Sequence, residues 1–373
     1  MSPNRPVVLT LILCGGRGKR LLPLTRYQAK STLPFAGRFR LIDVPIASSL
    51  SAGFGRIYLL TQYLSSSVHN YIHRTYNSGT FEEDRFIRID TVDQTFEHSD
   101  RYQGTADAVR HSIRRLRHHR PDHYLIMAAD QVYRMDIAQM FRFHLESRAD
   151  ITVACTPACR EEIYQMGIIK LDGRGRIVDF LEKPRPDDPR ISSFVHPVAS
   201  PEVRFLVSMG TYLFSSKALE SALSSPYLDF GRDVLPGCLH SFRMHGYLHP
   251  GFWQDLGTIR RYFDTNLQLA ESGSSLPLFD EEHPILCPNL HLPAARIESS
   301  RIDALLAAEG CWIQSSSIRG AVLGDRSVLR EAELEKVICI GYSGYEDGRN
   351  GFSGNGRPAH CIGPGSRLKR VIV

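Results

Sequence analysis

Apolar residues crowd into short runs along the front of the chain, separated by stretches with helical spacing. The run VVLTLILC, from Val7 to Cys14, is rich in Val, Leu and Ile and empties into a loop of glycine and arginine, which predicts a buried strand and a turn. Further strands are predicted at Arg56 to Thr61, His123 to Ala129 and Ile151 to Ala154, with helices at Ala106 to Leu116 and Ile137 to Ser147. Such alternation predicts a doubly wound, Rossmann-like α/β sheet whose ligands sit at the carboxyl ends of its strands.

From Glu271 to Pro293 the periodicity dissolves into Ser, Pro, Asp, Glu and His, as in an interdomain connection. Beyond it Val322, Val328, Leu334 and Ile340 recur every six residues, and Ile362 and Leu368 repeat the interval, which suggests the stacked short strands of a β-helix. The glycine-rich stretch Gly341 to His360 interrupts the repeat and reads as a loop between coils. The expected organisation is a first domain over residues 1–270, a linker over 271–293 and a short β-helix over 294–373.

The 373 residues, 42% hydrophobic and 23% charged, are enough for a full core and a second, smaller domain. A net charge of +5 suits a handler of polyanions without choosing between nucleotides and nucleic acid. The start, MSPNRP, lacks the flank and apolar core of a secretory signal, so a soluble, cytoplasmic protein is expected, with no membrane partner. Eight scattered cysteines, without the spacing of a zinc site, read as free thiols.

Four segments carry candidate chemistry. In LCGGRGKRL, the glycines after the first strand let backbone N–H groups close on phosphates, and Arg17, Lys19 and Arg20 add positive charge. The segment is not a P-loop, because no Gly-Lys-Ser/Thr follows at the right distance, and not a dinucleotide fingerprint, because Leu21 holds the place of the third glycine; a purely structural turn fits it equally well. In LIMAADQVY a strand delivers Asp130 at its carboxyl end, where a carboxylate is either a magnesium ligand or a helix cap. Asp255 in WQDLGT, before a helix over Ile259 to Leu269, offers the same two readings. Lys183 in FLEKPRP follows a strand and precedes a proline, aimed at a phosphate or simply solvated. The basic run HSIRRLRHHR turns Ile113 and Leu116 inward and its arginines outward, as a solvated helix face does, so no nucleic-acid partner is expected.

Together with QAKSTLPFAGRFRLIDVPIASS, YQGTADAVRHS, SMGTYLF and DFGRDVLP, these segments resemble, in order, the bacterial and plant ADP-glucose pyrophosphorylase (glucose-1-phosphate adenylyltransferase) family over almost the whole chain. The resemblance implies a nucleotidyltransferase domain followed by a left-handed parallel β-helix. It implies ATP and glucose 1-phosphate as substrates, magnesium as cofactor and a homotetramer. It implies a triphosphate held by Arg17, Arg20 and Lys30, with Cys14, Gly15, Gly16 and Gly104 lining the nucleotide. Asp130 and Asp255 match metal-binding carboxylates, while Tyr102, Gly167, Glu182, Lys183 and Ser208 match positions that contact the sugar phosphate.

The chain departs from the family pattern at Gln28 and Ser31, which replace an arginine and a proline around Lys30, at Gln131, which replaces a common histidine, and at the early end of the solenoid. Two other readings stay open: a nucleotidyltransferase for another base and sugar, such as a mannose 1-phosphate guanylyltransferase, and a catalytically silent regulatory subunit.

Overall fold

The structure is a computed structural model, which describes residues 6–76, 85–91, 102–196, 204–271, 276, 278, 280–281, 284–287, 290–341, 352–353, 357–358 and 361–373. Its first part is a nine-stranded sheet: β1 (Val8–Leu13), β2 (Arg56–Thr61), β3 (Phe86–Thr91), β4 (His123–Ala128), β5 (Ile151–Ala158), β6 (Gly167–Leu171), β7 (Ile177–Glu182), β8 (Phe205–Ser215) and β9 (Met244–Leu248). Strands β4, β1, β2 and β3 lie side by side and parallel, as the alternation of apolar runs and helices predicts. Alternate residues of β1 face opposite ways: Val8 and Ile12 join one apolar core, Leu9 and Leu11 the other. Burial on both faces explains why this strand reads as a continuous apolar run.

The other half of the sheet is largely antiparallel, which the expectation of a doubly wound sheet does not cover. Its organiser is β8, which runs antiparallel to β4, β5 and β6. A register shift between Ser208 and Tyr212, with Gly210 at φ 65°, divides β8 into two halves. The first half pairs with β6 through Leu206 and Val207, and the second follows β4 from Thr211 to Ser215. Strand β7 extends β6, and β9 lies parallel to β5.

The helix Thr105–Leu116 buries Ala106, Val109, Ile113 and Leu116 at intervals of three and four residues, so the basic run does turn its apolar side inward. Two of the helix's arginines are tied down. Arg110 donates to the carbonyls of Leu223, Ser225 and Tyr227, and Arg115 pairs with Asp90. Among the described residues no helix is long and apolar enough to cross a membrane.

The later part is a parallel β solenoid. Trp312–Gln314 stacks on Arg296–Glu298 and under Val328–Arg330, while Ser317–Leu323 lies between Arg301–Ala307 and Glu333–Cys339. Corresponding residues of these coils are sixteen apart, as in Ile302, Ile318 and Leu334. The six-residue interval is therefore corrected: Val322 stacks on Ile338, not on a position at a multiple of six. The cause lies at the corners, where left-handed residues such as Ser299, Ala304 and Gly310 stand five and six residues apart, so a triangular turn closes short of eighteen. Most of Gly341 to His360 lies outside the described residues.

The solenoid and the sheet share side chains in one core. Val322 and Ile338 are buried in the same cluster as Tyr262, Leu267 and Leu269 of the helix Ile259–Ala270. That helix is pinned from the other side by Asn266, whose Oδ1 accepts the Ala36 N–H at 2.9 Å, and by the Tyr262 hydroxyl, which donates to the Pro34 carbonyl.

Candidate active site

The carboxyl ends of β1, β2 and β4 open on a cavity of about 320 Å³, walled by Cys14, Gly15 and Gly16 on one side and by Tyr102 and Gly104 on another, with Lys30, Asp130 and Asp229 at its margin. Its place is the one expected for ligands of a sheet of this kind.

Lys30 joins the two acidic candidates. Its Nζ is 2.6 Å from Asp130 Oδ2 and 4.0 Å from Asp255 Oδ1. Asp130 and Asp255 are brought together by a short antiparallel pair, Gln131–Tyr133 with Trp253–Asp255, in which Gln131 faces Asp255. Neither caps a helix. Asp136 caps the helix Ile137–Glu146 by accepting from the Gln139 N–H, and Thr258 caps Ile259–Ala270 by accepting from the Arg261 N–H. Arg261 also donates from Nη1 to Asp255 Oδ2 at 3.3 Å.

The remaining contacts close a ring. Arg20 approaches Asp255 across Gly257, where a β-carbon would lie 2.7 Å from Asp255 Oδ2 and 3.2 Å from Arg20 Nη2. Its Nη1 donates to Gln165 Oε1 at 2.8 Å. One residue further on, the Met166 carbonyl accepts the Lys183 N–H at 3.0 Å. Lys183 holds a left-handed backbone, φ 45°, and its ammonium pairs with Glu182 at 3.1 Å. Glu182 is wedged between two glycines: a β-carbon on Gly167 or Gly231 would lie 2.7 Å or 2.4 Å from its Oε2. The turn containing Gly231 begins at Asp229, which accepts from Thr105 Oγ1 and so returns to Gly104 and the cavity. Ser208 sits at the bulge of β8, where its Oγ accepts the Gly210 N–H at 3.2 Å.

The structure holds the remaining candidates differently. Arg17 is exposed, and among the described residues no hydrogen bond or ion pair holds it. Cys14 lines the cavity, and burial pushes its thiol up to about 12. In the glycine loop the conformational demand falls on Gly18, at φ 62°, where a β-carbon would collide with Thr25 at 2.8 Å; Gly16 has open space. Tyr102 lines the cavity with Gly15, Gly16 and Gly104, its ring 5.8 Å from His111; among the described residues no contact joins it to Glu182 or Lys183.

The electrostatics follow from this geometry. Burial, and then the charge of Asp130, raises the Asp255 carboxyl above its ordinary range, against the pull of Lys30, Arg261 and Arg20. Glu182 is also raised, first by burial, with Lys183 opposing. Among the described residues no three His, Cys, Asp or Glu side chains form a self-sufficient metal cage. Two carboxylates converging on one cation, with open space beside them for phosphate oxygens and water, nevertheless fit magnesium, which is usually held by one or two carboxylates plus substrate phosphates.

Arg261, Gln165, Asp229, Gly231 and Gly257 were not singled out by the sequence. DFGRDVLP and WQDLGT contain three of them, but their partners lie far away along the chain.

A nucleotidyl transferase family model matches residues 9–272, and a GLGC left-handed parallel beta-helix domain model matches residues 291–373. Over 382 aligned residues the chain is 33% identical to the glucose-1-phosphate adenylyltransferase small subunit, chloroplastic/amyloplastic, of Triticum aestivum, with 98% of this chain and 81% of that one covered. With both parts matched in order, the chain belongs to the ADP-glucose pyrophosphorylase family and is a sugar-1-phosphate nucleotidyltransferase.

Proposed function

We propose that the protein is a glucose-1-phosphate adenylyltransferase, converting ATP and α-D-glucose 1-phosphate to ADP-glucose and diphosphate for α-glucan synthesis. The observation that carries this reading is the Lys30 ammonium between Asp130 and Asp255, beside a glycine-lined cavity at the carboxyl ends of parallel strands. The Triticum aestivum relative, a glucose-1-phosphate adenylyltransferase small subunit, supports adenine and glucose as the base and sugar.

In this reaction a phosphate oxygen of the sugar 1-phosphate attacks the α-phosphorus of ATP, and the bond to diphosphate breaks on the far side. The nucleophile is already an anion, so no general base is needed. The task is to bring two anions together and offset their repulsion. Arg17, Arg20 and Lys30 are assigned to the triphosphate, and Gly15, Gly16 and Gly104 to the close approach of the nucleotide. Glu182, Lys183, Gly167, Ser208 and Tyr102 are assigned to the sugar phosphate. Asp130 and Asp255 would hold magnesium, which when bound supplies positive charge at the phosphates.

Diphosphate release from a panel of nucleoside triphosphates and sugar 1-phosphates is the test. Preference for ATP with glucose 1-phosphate supports the assignment, and preference for GTP with mannose 1-phosphate replaces it. The same reading carries the division into domains at 271–293, a homotetramer and a cytoplasmic location. Light scattering of the purified chain tests the tetramer.

A further inference from the structure

Lys30, the lysine assigned to the triphosphate, stands on the carboxylates assigned to the metal. Its Nζ lies 2.6 Å from Asp130 Oδ2 and 4.0 Å from Asp255 Oδ1, and its side chain is only 11% exposed. The other oxygen of Asp255, Oδ2, is engaged by Arg261 at 3.3 Å, which leaves Oδ1 turned toward Lys30. Two converging, partly buried carboxylates repel each other and require a counter-charge. Lys30 meets that requirement here.

A divalent cation binding the same two oxygens would meet the ammonium at close range, in surroundings where like charges are poorly screened. Lysine is well suited to leave. Its ammonium is a compact charge on a flexible four-carbon stem, with no fixed fork to be realigned. A polyanion in the adjoining cavity offers it an equivalent partner.

On the functional reading above, we propose that Lys30 is an exchangeable counter-ion: it keeps a lone divalent cation off Asp130 and Asp255, and moves to the triphosphate when metal and nucleotide arrive together. The site is then not loaded by metal in advance. Metal and nucleotide enter as a pair, and a metal ion left behind by departing diphosphate is expelled by the returning lysine.

The test measures Mn²⁺ retained by the full chain on ultrafiltration, with no nucleotide present. The wild type should bind weakly, and Lys30→Gln should tighten Mn²⁺ binding by at least about 10-fold, because the competing charge is gone. Lys30→Arg should still exclude the ion, and Lys30→Gln combined with Asp130→Asn should lose the gain. In the wild type alone, inorganic diphosphate should tighten retention by at least about 10-fold, a measurement that depends on no variant's folding. Mn²⁺ binding by Lys30→Gln within about 2-fold of wild type, or wild-type retention indifferent to diphosphate, overturns the proposal. Failure of the functional reading looks different: ATP and glucose 1-phosphate would release no diphosphate, whatever the Mn²⁺ titrations show.

Discussion

Gly104 and Leu228 are in such close contact that a β-carbon on the glycine would lie 2.2 Å from the leucine carbonyl oxygen. That oxygen is not free to retreat. It accepts the N–H groups of Ala106 at 2.9 Å and Asp107 at 3.2 Å, the first donors of the helix Thr105–Leu116. The glycine is required here by space and not by backbone angle, since its φ of −178° is open to any residue. The contact seats the helix against the turn that leads to Asp229, so one wall of the cavity depends on it.

Gly104→Ala is expected to lose about 2 to 4 kcal/mol of stability in denaturant unfolding, as overpacking against fixed backbone does. Gly16→Ala supplies the contrast. Its added methyl meets nothing within 4 Å, so stability should change by less than about 0.5 kcal/mol while KM for the nucleotide rises. Equal stability losses in the two variants would contradict the packing described.

Asp130→Asn and Asp255→Asn should each lower kcat by about 10²-fold or more, because each removes one of the two charged groups that converge on the cation position. Circular dichroism should remain that of the wild type. Near-normal turnover of either variant in saturating magnesium would remove that carboxylate from the metal site.

Lys183→Gln should raise KM for the sugar phosphate by roughly 10- to 100-fold, the equivalent of one charge-assisted contact of about 1.5 to 3 kcal/mol. KM for ATP should move far less. Kinetics with each substrate varied in turn decide the matter, and equal damage to both would separate Lys183 from the sugar-phosphate subsite.

His144 predicts how acid acts on the fold. Burial, and then the neighbouring His123, depresses its imidazole to about 3, and its Nδ1 lies 2.7 Å from Thr152 Oγ1. An unfolded chain takes up the proton near pH 6.5, whereas the folded one resists. The stability His144 contributes is thus present above about pH 6.5 and is lost as pH falls toward 3, by up to about 1.4 kcal/mol per pH unit. In urea unfolding, the stability gap between wild type and His144→Gln should narrow from pH 7 to pH 5. A constant gap would mean that His144 accepts its proton in the folded state.

What the sequence made legible was local. The strand Arg56–Thr61 was readable to the residue, and the helix ending at Leu116 to within one, because an apolar run or a period of three and four shows itself without a partner. Strand β8 was visible only as the motif SMGTYLF. Gly210 interrupts its pattern, and its reach across β4, β5 and β6 depends on strands distant in sequence. The solenoid showed its character but not its pitch, since the corners at Ser299, Ala304 and Gly310 are unequally spaced. At the site, Asp130 and Asp255 could be singled out but not freed from the alternative of a helix cap. Only the caps formed by Asp136 and Thr258 remove it. Arg261 was passed over within the helix Ile259 to Leu269, because its tie to Asp255 is a matter of direction in space.

The helix Ile259–Ala270 has one further consequence. Arg261 on its first turn grips Asp255, and further along it Tyr262, Leu267 and Leu269 share a core with Val322 and Ile338. Leu276 and Ile285, from the stretch 271–293, are buried in that same core, so the molecule has no perforation there along which it tears. A fragment ending there would bare an oily flank directly behind the carboxylate pair, and is expected to aggregate or to lose its grip on Asp255. The intact chain should melt in a single calorimetric transition, with the solenoid braced against the helix that holds Asp255.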